Sequence, residues 1–129
     1  MMGMYTGLRG SITFKNEYKE NIRKLGAYIG DTRGTWSSLG LPETPEIKEF
    51  VNKSRAMFIP FGMVCYMPEC WGDQYFDYCD KENSINFTCS LKNYEGEINA
   101  FIKMLPQIAT SWELEELYEE DSSPTTHSA

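Results

Sequence analysis

The run Ser84-Ile85-Asn86-Phe87-Thr88-Cys89-Ser90-Leu91 alternates polar and apolar residues without a break. Neighbouring side chains on a strand point to opposite faces, so a period of two makes one face apolar and the other wet. A chain built around such a strand needs a sheet covered on one side, and the cover must come from elsewhere in its 129 residues. Tyr75–Cys79 supplies a short aromatic strand, and the polar turn Asp80–Asn83 joins the two as an antiparallel pair. Leu8, Ile12 and Phe14 alternate with Arg9, Ser11 and Thr13, which predicts a further strand over Met4–Phe14.

The cover is predicted to be helical. Asn16 is a cap residue, and Tyr18, Ile22, Leu25 and Ile29 follow at helical steps before Gly30 stops the pattern. Thr44-Pro45-Glu46 has the cap, first-turn proline and acid of a helix start, with Ile47, Phe50 and Val51 as the stripe of a short helix ending near Arg55. Asn93 is expected to open a third helix, where Glu95 and Glu97 lie near the positive end and Ile98, Phe101, Ile102 and Leu105 form the buried stripe. Pro60 and Gly62 favour an extended segment with a bulge or an edge position over Met57–Met67. Asp31–Glu43 shows neither period and is expected to be a loop, and Trp112–Asp121 fits a helix or a strand.

The predicted fold class is α+β: an antiparallel sheet of four to five strands, two main helices on one face and one short extra helix. Residues 1–121 form one domain, and 122–129, small and polar, are expected to be a flexible tail. With 41% hydrophobic residues, the chain has material for one core without disulfides or metals. No run approaches the ~18–20 apolar residues of a membrane span, and the amino terminus lacks the apolar block of a secretory signal, so a cytoplasmic protein is expected.

Charge is unevenly spread. Up to Met63 nine basic residues face six acids, a net +3; from Val64 three basic residues face thirteen acids, a net −10. Nucleic-acid affinity rests on Lys and Arg displacing counterions, so no direct nucleic-acid contact is expected and a partner with a basic surface is. Glu113, Glu115, Glu116, Glu119, Glu120 and Asp121 form the densest acidic stretch, with Trp112 and Tyr118 as aromatic anchors and Trp36 as a further partner-binding candidate. A small-ligand alternative places a nucleotide or similar anion at Arg9, Arg33 and the Gly30–Gly34 loop.

Catalytic signatures are missing. His127 is the only histidine and lies in the expected tail, where no general base can be held in place. Cys65, Cys70, Cys79 and Cys89 are five, nine and ten residues apart, unlike the close pairs of structural zinc sites. The sequence therefore predicts no enzyme, no cofactor and no metal. Some of Tyr66, Tyr75, Phe76 and Tyr78 must lie on the face away from the helices, which predicts either a homodimer or partner contact there, or a cover formed by Trp36 and Leu39 of the loop.

Met4-Tyr5-Thr6-Gly7-Leu8, Leu91-Lys92-Asn93-Tyr94-Glu95-Gly96-Glu97-Ile98 and Tyr118-Glu119-Glu120-Asp121 resemble, in order and spacing, a group of small proteins encoded by tailed bacteriophages. The chain departs from that group in Asp31–Glu43 and Ser122–Ala129. The resemblance implies a setting rather than a chemistry: a bacterial host cytoplasm, and a small acidic protein that binds a host factor. Inhibition of a restriction or CRISPR nuclease with a basic nucleic-acid channel is the expected form of that function, with a virion or accessory role as the alternative.

Overall fold

β1 (Thr6–Phe14) is the axis of the molecule, because it pairs along both edges. The computed structural model describes residues 5–26, 28–29, 32–33, 36–64, 67–119 and 123–128. β2 (Tyr28–Ile29) and β3 (Thr32–Arg33) form a small separate ribbon. β4 (Tyr75–Cys79), β5 (Ser84–Leu91), β6 (Ala109–Tyr118) and β7 (Thr125–Ser128) join β1 in one antiparallel sheet of order β4-β5-β1-β6-β7. The fold is α+β, as the sequence predicts.

Register follows the hydrophobic pattern. Leu8 lies opposite Cys89, Ile12 opposite Ile85 and Gly10 between Phe87 and Leu114, so the alternating apolar sets meet on one face. Gly10 has φ +143°, and a Cβ there would run into the carbonyl of Glu113. The close approach of β6 to β1 thus depends on glycine.

Two helices seal the apolar face. α2 (Pro45–Val51) starts as predicted, with the Thr44 hydroxyl accepting from the Ile47 N–H at 3.3 Å. α4 (Glu97–Ile108) begins after Gly96, whose φ of 73° suits glycine, and the Asn93 carboxamide oxygen accepts from the Ile98 N–H at 3.0 Å. Ile98, Phe101, Met104, Leu105 and Ile108 of α4 are buried with Leu8, Ile12, Ile85 and Leu114 of the sheet. No helix among the described residues is long and apolar enough to cross a membrane.

Several expectations are corrected. Instead of one helix over 16–30, α1 (Lys19–Arg23) is a single turn and a half between two short 3-10 turns, and Ile29 lies in β2. Asn16 makes no cap; Lys15 occupies that position. Among the described residues here, Ile22 and Leu25 are the ones that bury fully, too few to carry a long helix, and polar ties hold the segment instead. Arg23 donates to Asp80 from two nitrogens at 2.7 and 3.1 Å, and this contact, more than the attraction of nearby charge, holds the Asp80 carboxyl below its ordinary pKa. Asn21 donates to the Leu39 carbonyl at 2.7 Å.

Within the expected extended segment Met57–Met67, the described residues form no strand. Its centre is α3 (Phe58–Phe61), a short irregular turn, and the following backbone lies against β5, where the Ser90 N–H donates to the Gly62 carbonyl at 3.3 Å. The expected flexible tail is also corrected over its described part, since β7 pairs with β6 from Glu113 to Glu116. Its exposed Thr and Ser side chains bury little, yet backbone pairing and the contact of His127 Nε2 with Glu116 Oε1 at 3.0 Å anchor it. Polar composition suits an edge strand as well as a tail.

Trp36 belongs to the core rather than to a partner surface. It is 2% exposed, meets Phe50 and Phe101 edge-on at 5.8 and 5.4 Å between ring centres, and donates its indole N–H to the Ile59 carbonyl. Replacing it by Ala should cost about 3–5 kcal/mol of folding stability, measured by chemical denaturation. A loss below about 1 kcal/mol, within the range of an ordinary surface substitution, would contradict this placement.

Candidate functional site

The sheet face turned away from the helices is open over most of its area. Strand alternation that sends Leu8, Ile12, Ile85 and Phe87 inward sends their polar neighbours outward, and the register sets them in rows. One row runs Tyr75, Thr88, Arg9, Glu115, Thr126 across the five strands. The next runs Asp77, Asn86, Ser11, Glu113, Ser128. Between the rows the twisted sheet forms a groove of about 610 Å³.

One end of this face is closed. A 3-10 turn, Glu69–Trp71, lays the Trp71 ring over Gly7, where a Cβ would collide with the indole. Trp71 is 2% exposed and donates from Nε1 to the Cys89 carbonyl at 3.2 Å. Arg9 completes the clamp: its guanidinium carbon is 4.2 Å from the centre of the Trp71 ring, and it donates to the Trp71 carbonyl at 2.8 Å and to Glu115 at 3.1 Å. Stacking on the indole and pairing with carboxylate together fix the arginine plane.

Arg9 is thus already satisfied, and an incoming anion would have to displace Glu115. Asp77 and Glu113 are exposed, and neither forms an ion pair among the described residues. The open face carries three carboxylates against one guanidinium, in a field of Ser, Thr and Asn groups that can donate and accept. Such a surface attracts cationic side chains and repels phosphate.

The sequence-predicted acidic stretch is divided by its conformation. As strand β6, it sends Glu113 and Glu115 to the open face and Trp112, Glu116 and Tyr118 to the helix side. Trp112 packs half-buried against the core, and Glu116 is taken by His127. Glu119 turns back to accept from the Tyr5 N–H. Glu120 and Asp121 lie outside the described residues, as does Tyr66, and the side chain of Arg33 in β3 is likewise not described. Of the described part, Glu113 and Glu115 share the open face, while Glu116 pairs with His127 and Glu119 with the Tyr5 N–H, so these four form no single patch.

The aromatic expectation divides in the same way. Tyr75 is 53% exposed on the open face, whereas Phe76 packs on Phe61 and Tyr78 turns to the core side and donates to Asn83 at 2.9 Å. Desolvation, the larger effect, and the nearby Asp80 charge push the Tyr78 hydroxyl pKa up. Trp36 and Leu39 do not cover the open face; Trp71 covers one end of it. The sequence pattern missed Trp71, because nothing in Glu69-Cys70-Trp71-Gly72 marks it as a residue that folds back over Gly7. Asp77 and Thr88 were legible only as outward strand positions, and Thr126 lay in the expected tail.

Among the described residues, no three His, Cys, Asp or Glu side chains gather as a metal site. Cys89 is buried, and desolvation pushes its thiol far above the ordinary range. No protein-family model, no curated protein and no solved structure matches the chain. Its class is thus defined by architecture: a five-stranded antiparallel sheet with helices on one face and an acidic polar groove on the other.

Replacing Arg9 by Ala should release the Trp71 clamp. In fluorotryptophan-labelled protein the Trp71 resonance should shift and broaden, while that of Trp36 stays in place. An unmoved Trp71 signal would show that the Cys89 carbonyl and Gly7 seat the ring without the arginine.

Proposed function

We propose that this chain is a non-enzymatic interaction module that docks a basic protein surface on the open face of its sheet. The reading extends to a phage-encoded inhibitor of a host nucleic-acid-handling defence factor, of the anti-CRISPR or anti-restriction type. The observation that carries it is the groove of about 610 Å³ on the sheet, lined by Glu113 and Glu115, with Asp77 at the end of the same row as Glu113 and Arg9 as the sole opposing charge on those rows. A channel that binds nucleic acid presents Lys and Arg at phosphate spacing, and carboxylates on a rigid sheet are suited to meet them. The surplus of ten negative charges after Met63 supports the same partner chemistry at longer range.

Tyr75 gives the surface an aromatic anchor at its β4 edge, and the hydroxyls of Thr88, Ser11 and Thr126 supply partners for hydrogen bonds at the contact. Rigid backbone pairing on both sides of β1 keeps the groups in place before binding, which lowers the ordering cost.

The test compares the native protein with a variant carrying Asp77→Lys and Glu113→Lys, both exposed positions whose exchange leaves the core untouched. Immobilised native protein should capture nucleic-acid-handling proteins from bacterial lysate at low salt and release them as ionic strength rises. The double variant, with an unchanged circular dichroism spectrum, should capture none of them. Equal capture by both proteins, or no such protein at low salt, would overturn the proposal.

A further inference from the structure

A second surface, where the backbone after α3 joins the end of β5, has the opposite chemistry. The turn α3 and the backbone after it form one wall of a groove of about 420 Å³, and Tyr5, Arg55, Phe58, Met63 and Lys92 line it. Phe58 is 43% and Met63 71% exposed, and Tyr94, whose ring faces Arg55, is 59% exposed. Large apolar groups left in water at this density mark a contact surface when they are held in place.

They are held in place by the backbone. Gly62 donates to the Phe58 carbonyl at 2.8 Å, the Ser90 N–H donates to the Gly62 carbonyl at 3.3 Å, and the Ser90 hydroxyl donates to the Met63 carbonyl. A Cβ on Gly62 would collide with the Ser90 carbonyl, so this close seat on β5 requires glycine. The exposed Phe58 and Met63 side chains thus stand on a fixed platform, with the adaptable thioether at its end.

Charge identifies the occupant. The Arg55 guanidinium lies 5.1 Å from the centre of the Tyr94 ring, and the Lys92 ammonium 5.8 Å from that of Tyr5. No carboxylate of the described residues forms an ion pair with either cation. The neighbouring Glu95 is occupied by Ser54, whose N–H and hydroxyl donate to it at 3.1 and 2.8 Å. Those bonds, with the backbone one the larger, hold the Glu95 carboxyl below its ordinary pKa. The groove therefore joins an apolar floor to two cations oriented by aromatic rings; Glu95 lies near enough to Arg55 to feel its charge but is hydrogen-bonded to Ser54, and neither cation is in a direct ion pair among the described residues.

We infer that this groove docks a short acidic segment of a partner protein, its apolar side chains on Phe58 and Met63 and its carboxylates at Arg55 and Lys92. The site is separate from the acidic sheet face in residues and in sign of charge, so neither proposal depends on the other.

Fluorescence anisotropy with a labelled peptide that alternates Glu with Leu and Phe tests it, beside a counterpart with Lys in place of Glu. The native protein should bind the acidic peptide and not the basic one. Arg55→Glu with Lys92→Glu should weaken binding roughly tenfold or more, and so should Phe58→Ser with Met63→Ser. The Asp77→Lys, Glu113→Lys variant should bind as the native protein does. Because all six positions are at the surface, circular dichroism should show each variant folded. Absence of binding, equal binding by the groove variants, loss of binding in the sheet-face variant, or equal binding of the basic peptide would each overturn the inference. Displacement of the acidic peptide by ATP would overturn it in favour of a nucleotide.

Discussion

β1 pairs with β5 on one edge and β6 on the other, and every surface of functional interest is positioned by that double pairing. The chain can close it only because Gly10 lets the β6 backbone approach where a side chain would meet the Glu113 carbonyl. Once the register is set, a slip of one residue would turn Leu8, Ile12, Ile85 and Leu114 into water and bring Arg9, Thr88 and Glu113 into the core. Burial of the apolar set under α4 therefore fixes the polar set on the other side. The groove is a consequence of core packing, and its side chains need no separate device to hold them in rows.

The asymmetry of the fold accounts for the asymmetry of its charge. Sequence position placed a basic surplus before Met63 and an acidic one after it, but structure redistributes both. Arg9 from the basic half joins the acidic face and is consumed there by Glu115 and Trp71. Arg55 gathers instead with Lys92, from the acidic half, beside α3. Two surfaces of opposite sign result on one small domain. A protein that contacts one basic and one acidic element of a partner could use both, each through rigid backbone rather than an ordered loop.

Strand alternation made most of the sheet legible in the sequence. Ser84–Leu91 and Thr6–Phe14 announce their faces because apolar residues alternate with polar ones along them, and Thr44-Pro45-Glu46 announces α2 through capping chemistry that is local. What stayed hidden depends on contacts remote in sequence. α3 forms where an extended segment was expected because Gly62 and Met63 dock on Ser90, and β7 forms because an edge strand asks little of its side chains. Trp36 looked available in a loop and is buried by Phe50 and Phe101, which follow it by fourteen and sixty-five positions. The acidic run was visible as composition, whereas its division between two faces required knowing that Trp112–Tyr118 is a strand.

One sheet face is sealed by helices and the other is open over most of its area. Paramagnetic relaxation by a soluble gadolinium chelate, read on methyl-labelled Ile and Thr, addresses this difference directly. Strong broadening of the Thr88 and Thr126 methyl signals is expected beside sharp signals from Ile12 and Ile85, the second of these only three positions from Thr88 in the same strand. Thr88 and Thr126 signals as protected as that of Ile85 would show the face to be covered, and would contradict it.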